Sequence, residues 1–480
     1  MINIQFSIIN VQFPMKHILL VAVCWMLVIS TYSQTISQKL HNAFAAFEKD
    51  QQLKNAVSSL YVIDAQSGQV VFDKNSRIGL APASTQKIIT SITAYELLGK
   101  DFRYTTEFKI TNNLNLHLYV FPSGDPTLGS WRWQSTSTDS VISNLVNGLR
   151  NKKVSQINKV VIDNSGWDAE TIPDGWIWQD IGNYYGAGAH KFNYRENQLD
   201  IILKSGKAIG DPVDIVSLIP EEAAEIKEHL ISKLTSASRG SSDNAYIYFP
   251  NDGTGNYIIR GTIPVFQNNF SISASVVSPE KLFFTGLKSR LQKEQLIDIK
   301  SEQLEIKNNT TEFKNQFSII HTHFSPKLDS IIYWFNKKSI NLYGEALIKT
   351  IGSIRKGVGA VDSGISFIQE FWKEKKLDPD EIKMVDGSGL SPMNRVTTHA
   401  QVEILKYART KDWFPSFFTS FPEYNGMMMK SGTIRGVKGF TGYHKAKNGK
   451  EYIFSFLVNN YNGSPSALVN KMYKVLDNLK

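Results

Sequence analysis

Apolar positions change their spacing several times along the chain, and each change marks an element. In SSLYVIDAQSGQVVFD two β-rich runs flank Ser67-Gly68, which predicts a hairpin. The next stretch, APASTQKIITSITAYELLGK, switches to helical spacing. Ile88, Ile92, Tyr95 and Leu98 recur every three or four residues, Pro82 suits the helix start and Gly99 the stop. From about Phe102 to Pro279 the pattern becomes short β-type runs punctuated by turns, such as NYIIRGTI after NDGTGN. Helical spacing returns in PKLDSIIYWFNKKS and NLYGEALIKTIG. The end of the chain predicts a hairpin in VKGFTGYHKAKNGKEYIFSFLVNN, turning at Asn448-Gly449, and a last helix from about Pro465. This order describes an α/β (α+β) core split by a large β-rich insertion.

Ahead of the hairpin, MKHILLVAVCWMLVISTYSQ sets Lys16 and His17 before an uncharged apolar run from Ile18 to Ile29, with the small residues Thr31 and Ser33 just before Gln34. This predicts a secretory signal peptide over residues 1–33, with Met15 beside Met1 as a translation start. The run is shorter than the roughly 20 residues a membrane-spanning helix needs, so no stable membrane span is expected. Cys24, the only cysteine, lies inside it and follows Val23, where a lipoprotein signal carries a small residue. A mature chain without cysteine has no disulfide, thiol nucleophile or cysteine metal site. The length of 480 residues predicts two or three domains, and 42% hydrophobic with 20% charged residues describes a globular protein. The net charge of +9 is scattered rather than clustered, so no nucleic-acid partner is expected.

Few residues in this outline combine a nucleophile, a base and an anchor. Ser84 and Lys87 stand at i and i+3 of the first predicted helix, so the amine reaches the hydroxyl. A serine hydroxyl is a weak nucleophile until a base takes its proton, and a desolvated lysine beside a second cation is neutral enough to do so. Ser278-Pro-Glu-Lys281 has the same spacing, and a single match is more often a surface pair. Position favours Ser84, which follows Pro82 at the start of an apolar helix, where its backbone N–H is free to act as an oxyanion donor. Ser-x-Asn occurs twice, at Ser242-Asp243-Asn244 and Ser339-Ile340-Asn341, and Lys-Ser-Gly twice, at Lys204-Ser205-Gly206 and Lys430-Ser431-Gly432. Lys430 to Thr433 open the C-terminal hairpin, where an edge strand would present a cation and two hydroxyls to a cleft, with glycine letting a substrate backbone approach. Ser339 and Asn341 fall between two helical patterns, in a loop able to aim a hydroxyl and an amide at Ser84. In DGSGLSPMNRVT, Asp386 and Ser388 are expected to shape the cleft. His321 and His323 share a strand face without a third ligand, so no metal or other cofactor is expected.

Taken in order, LAPASTQKIIT, SGDPTL, KKSINLYGEAL, DGSGLSPMNRVT and KSGTIRGVKGFTGY, with a large insertion after the first, resemble the low-molecular-mass class C penicillin-binding proteins. Those are D-alanyl-D-alanine carboxypeptidases and endopeptidases of the bacterial cell wall, and the resemblance runs from about Val57 to the C-terminus. It implies a penicillin-binding/β-lactamase-like transpeptidase core, an antiparallel sheet flanked by helices, formed by residues 34–101 and 320–480. Residues 102–319 would be the insertion, in two smaller subdomains. By the same resemblance Ser84 is the acylated nucleophile and Lys87 its base, while Ser339 and Asn341 relay the proton and hold the substrate amide. Lys430 and Thr433 bind the terminal carboxylate, Ser431 and Gly432 complete the substrate-binding strand, and the N–H groups of Ser84 and Thr433 form the oxyanion hole. Lys87 and Lys430, converging on one serine, are expected to depress each other's pKa. Peptidoglycan peptides and β-lactam antibiotics are the implied partners, and the periplasm the implied location.

Two positions depart from the family pattern: Ile340 stands where relatives have Asp or Ser, and Ser431 makes Lys-Ser-Gly of Lys-Thr-Gly. Neither removes a group the chemistry needs. Ser242 to Asn244 match the Ser-Asp-Asn signature letter for letter, but they precede the strand-like AYIYF, where such residues are expected as turn formers. Asp163, Asp168 and Glu170 read as solvated loop acids, with a cationic cell-wall side chain as the alternative partner. A β-lactamase shares the three motifs, yet resemblance to its class A would require a far shorter gap from Ser84 to Ser339 and a glutamate that primes the deacylating water. A catalytically silent wall-binding protein would not need the complete set of Ser84, Lys87, Ser339, Asn341 and Lys430.

Overall fold

A computed structural model describes residues 35–112, 116–250, 253–294, 298–299, 304–308 and 316–480. The expected signal peptide, residues 1–33, lies outside the described residues. Thr35 caps the first helix, α1 (Ile36–Glu48): its hydroxyl accepts from the Gln38 N–H while the Gln38 side chain accepts from the Thr35 N–H. The predicted hairpin follows as β1 (Val57–Asp64) and β2 (Val70–Lys74). β1 does not alternate between buried and exposed, because every residue from Ser58 to Ile63 is buried. Its alternation instead divides two cores. Leu60 and Val62 join Phe44 and Phe47 of α1, and Tyr61 and Ile63 join Ile88 and Ile92 of helix α2 (Lys87–Leu98).

The chain returns to this core through α3 (Leu328–Lys337), α4 (Asn341–Lys356), α5 (Val361–Glu374) and α6 (Thr398–Ala408). It ends in β3 (Met427–Ile434), β4 (Val437–Lys445), β5 (Glu451–Asn459) and α7 (Pro465–Leu476). The short strand Glu423–Tyr424, β3, β4, β5, β1 and β2 make one sheet in that order, antiparallel throughout. Val57 lies opposite Asn459 and Asp64 opposite Tyr452, so strands from distant parts of the chain lie side by side in the sheet. α1 and α7 cover one face, and α2 to α6 lie on the other. The result is the antiparallel sheet flanked by helices that the sequence implied.

Between α2 and α3 the chain builds a five-stranded sheet from Leu304–Lys307, Lys159–Asp163, His117–Phe121, Thr105–Thr111 and Phe317–Phe324. Two three-stranded sheets lie alongside it in sequence, one on Tyr257–Pro264 and one on Gln198–Lys204. The strand Phe317–Phe324 pairs with Thr105–Thr111 and runs across the 319/320 junction. The stretch from Phe102 to Pro279 is less purely β than its turns suggested. Thr138–Asn151 is a 14-residue helix capped by Ser137, and its Val141, Leu145 and Leu149 enter the insertion's core. Its valines, asparagines and glycine are weak helix formers, and burial of one apolar stripe outweighs them.

Candidate active site

Ser84 lies not in the helix but in a single 3₁₀ turn, Ala83–Gln86, that runs into α2 at Lys87. In a 3₁₀ turn the side chains at i and i+3 eclipse, which stacks Lys87 directly on Ser84. Lys87 Nζ is 3.0 Å from Ser84 Oγ and donates to Asn341 Oδ1 and to the Ser388 carbonyl, both at 2.7 Å. Those two neighbours can only accept. A neutral amine has two hydrogens and one lone pair, so with both hydrogens engaged the lone pair is left for the Ser84 hydroxyl. Burial strips the amine of hydration and lowers its pKa to about 7, against the pull of the Asp386 and Glu345 carboxylates.

The second amine, Lys430 on β3, donates to Ser339 Oγ (3.0 Å) and to the Ser431 carbonyl (2.9 Å). Burial also takes its pKa well down, and the charges of Lys87 and Lys438 add to that. Mutual depression of the two lysines is therefore secondary to burial, and for Lys87 it is not among the causes. Ser339 sits in the turn between α3 and α4 with φ of 58°, a left-handed conformation that aims its hydroxyl at β3. Asn341 opens α4, and its Nδ2 donates to the Tyr185 carbonyl (2.8 Å).

On β3, residues 430–433 lie beyond the two residues that pair with Glu423–Tyr424, so their outer edge is open as expected. Gly432 also has a place within the chain's own packing. A Cβ there would come within 2.6 Å of the Pro82 carbonyl and 2.9 Å of the Ser84 nitrogen, so its missing side chain admits the turn that carries Ser84. Thr433 Oγ1 accepts from Lys438 Nζ (2.8 Å), its cross-strand partner on β4, whose pKa burial lowers to about 8. Lys438 was not singled out from the sequence, although KSGTIRGVKGFTGY contains it and the hairpin register makes it face Thr433.

Loop 386–394 forms the third wall. Asp386, fully buried, accepts from Gln86 Nε2, Trp176 Nε1, the Gly389 and Ser391 N–H groups and Asn394 Nδ2. Glu345 accepts from the Gly387 N–H (2.7 Å), and burial followed by the Asp386 charge raises its pKa to about 8. Gln86 and Glu345 lie inside the motifs LAPASTQKIIT and KKSINLYGEAL without being singled out there, and no local pattern marks Trp176 or Tyr185. They reach the site from four separate segments.

The rival motifs stay away. Ser242, Asp243 and Asn244 are exposed in the insertion, where the Asn244 N–H bonds the Thr262 carbonyl. Ser205 holds a turn through Gln267, and Ser278 precedes the helix Pro279–Lys293. Asp168 pairs with the buried Lys349 at 2.6 Å and Asp163 with Lys191 at 3.2 Å, so these acids serve the chain's own lysines, while Glu170 is exposed. His321 stacks on Phe108, and His323 lies 3.9 Å from Asp125.

The model of the D-Ala-D-Ala carboxypeptidase 3 (S13) family matches residues 40–426. A D-alanyl-D-alanine carboxypeptidase of Actinomadura sp. (strain R39) is 25% identical over 468 residues, covering 90% of this chain and 82% of the relative. The D-alanyl-D-alanine carboxypeptidase DacB of Haemophilus influenzae is 22% identical over 418 residues, covering 82% and 83%. Among solved structures, penicillin binding protein 4 (dacB) from Haemophilus influenzae superposes with a TM-score of 0.76 at 19% identity, covering 91% of this chain and 98% of that one. Its complex with a β-lactam gives 0.69 at 18% identity, covering 92% and 98%.

Proposed function

The chain belongs to the D-Ala-D-Ala carboxypeptidase 3 (S13) family, the low-molecular-mass class C penicillin-binding proteins, and from that premise we propose how its serine works. The protein is a serine DD-peptidase, a hydrolase that cleaves a peptide after a D-alanine through an acyl-enzyme. On our reading Lys87, neutral, takes the proton of Ser84 as Oγ attacks the carbonyl carbon of the penultimate D-alanine. The Ser84 and Thr433 N–H groups receive the oxyanion. That proton returns from Lys87 by way of Ser339, which is bridged to Lys430, to the departing D-alanine nitrogen, and water then releases the acyl group. Lys430 and the Thr433 hydroxyl, with Ser431 and Gly432 on the same strand, hold the substrate's terminal carboxylate, a charge-assisted contact that restores the proton affinity Lys430 loses by burial. A β-lactam opened by Ser84 would remain as a slow ester.

The observation that carries this reading is the environment of Lys87 Nζ, with two obligate acceptors at 2.7 Å and one hydroxyl at 3.0 Å. Residues 34–101 and 320–480 then form the catalytic unit and 102–319 the insertion, whose sheet continues to Phe324. Peptidoglycan peptides and β-lactam antibiotics are the partners this reading assigns. It also assigns the N-terminal apolar run to export, with cleavage near Ser33 and a periplasmic destination. Among the described residues no helix is long and apolar enough to cross a membrane. Incubation with penicillin followed by intact-mass measurement tests the nucleophile: one penicilloyl adduct is expected on the wild type and none on a folded Ser84→Ala. An adduct on that variant overturns the assignment.

A further inference from the structure

Arg195, Glu196 and Asn197 are three consecutive non-glycine residues with left-handed φ angles of 55°, 53° and 49°. Such a run is disfavoured at every position by the Cβ, and it persists only where the surroundings over-determine it. Here it turns Glu196 inward, to 3% exposure. Glu196 Oε1 accepts from Ser130 Oγ, Arg132 Nε and Tyr343 Oη, each at 2.7 Å, and Oε2 accepts from Arg132 Nη2 at 3.0 Å. Ser130 and Arg132 belong to the insertion, whereas Tyr343 is on α4, two residues after Asn341. Asn197 closes the same loop on itself, its Nδ2 donating to the Gly188 carbonyl and to Asn193 Oδ1. That clasped loop touches α4 through Glu196 on Tyr343, through the Tyr185 carbonyl on Asn341 Nδ2 and through the Ala189 carbonyl on Lys349 Nζ. The second contact fixes which end of the Asn341 amide faces Lys87.

We propose that Glu196 is a positioning residue: through Tyr343 it seats the loop 184–197 on α4, so that the Tyr185 carbonyl holds the Asn341 amide with its oxygen on Lys87. This deepens the DD-peptidase reading and rests on it. A seated loop keeps the acceptor that occupies one Lys87 hydrogen. An unseated loop frees the amide to turn, and Lys87 loses an acceptor that favours its ammonium form. Asp386, Glu345 and Lys430, the other charged groups near Lys87, remain in place.

Tyr343→Phe removes one hydroxyl and leaves Glu196 its other three donor contacts, so it is the primary variant, with Glu196→Gln beside it. Penicillin acylation of Tyr343→Phe is expected to slow at least fivefold, with the acid limb of its pH profile moved to lower pH. In an Asn341→Ala background the same change is expected to alter the rate less than twofold, because the residue being positioned is already gone. A Tyr343→Phe rate and profile equal to wild type, or a full fivefold loss repeated on Asn341→Ala, overturns the proposal. Absence of acylation in the wild type would instead overturn the DD-peptidase reading.

Discussion

Two buried amines each meet a different serine, Lys87 at Ser84 and Lys430 at Ser339. Lys87 titrates near 7 because the fold desolvates it, so its neutral fraction grows as pH rises through that value. Acylation by penicillin is expected to rise with an inflection close to pH 7, and Lys87→Ala to lose about a hundred- to ten-thousand-fold at pH 8. A flat pH–rate profile between pH 5 and 9 would remove Lys87 from that role. Among the described residues Lys430 meets no carboxylate, and its amine donates to Ser339 Oγ and the Ser431 carbonyl. Lys430→Ala is therefore expected to weaken cleavage of peptides ending in a free D-alanine carboxylate more than of their amides, and equal losses on both would reject the assignment. At this scale the sequence was most informative where chemistry and spacing coincide within four residues, as in Ser84 and Lys87. It was silent on Glu196 and Tyr185, which matter only through contacts made after folding.

Elements fix what residues cannot. The 3₁₀ turn at Ser84 and the strand β3 approach so closely that only glycine fits between them at 432. Gly432→Ala must push the turn, the strand or both by several tenths of an ångström. The expected results are a loss of about 1–3 kcal/mol in stability, read by denaturant unfolding, and a larger loss of acylation than of stability, since the displaced atoms include the Ser84 nitrogen. An alanine variant with wild-type acylation would show that the turn has slack. Apolar spacing predicted α2 but not the turn before it, because Ala83, with φ of 46°, breaks the helix by backbone geometry that no hydropathy pattern records. The hairpin of β4 and β5 was legible because Asn448-Gly449 is a strong turn signal flanked by strand-forming residues. Helix Thr138–Asn151 was not, because its weak helix formers mask a stripe that only burial reveals.

At the scale of the whole molecule, location decides between motifs that spelling cannot separate. The exposed Ser242 and Asn244 belong to the insertion, whereas Ser339 and Asn341 touch Lys430 and Lys87. A Ser242→Ala/Asn244→Ala double variant is expected to keep near-normal acylation, and Ser339→Ala or Asn341→Ala to slow it tenfold or more, about 1.4 kcal/mol of barrier. The reverse outcome would transfer the site to the other triplet. Element order made the split core readable from one sequence, but not the strand order, since pairing between distant segments leaves no local trace.

The pairing of β1 with β5 also has a consequence in time. β1 is among the first strands a ribosome would complete and β5 the last, so β1 must wait as an unpaired edge until nearly the entire polypeptide exists. Contacts so distant along the chain are slow to form, because the loop must close before any of them is made. The insertion, with its own apolar cluster, closes over a shorter span, its strand Phe317–Phe324 pairing with Thr105–Thr111. A nascent chain thus acquires its middle before its ends, and the turn that carries Ser84 finds its neighbour β3 only when the C-terminal strands arrive.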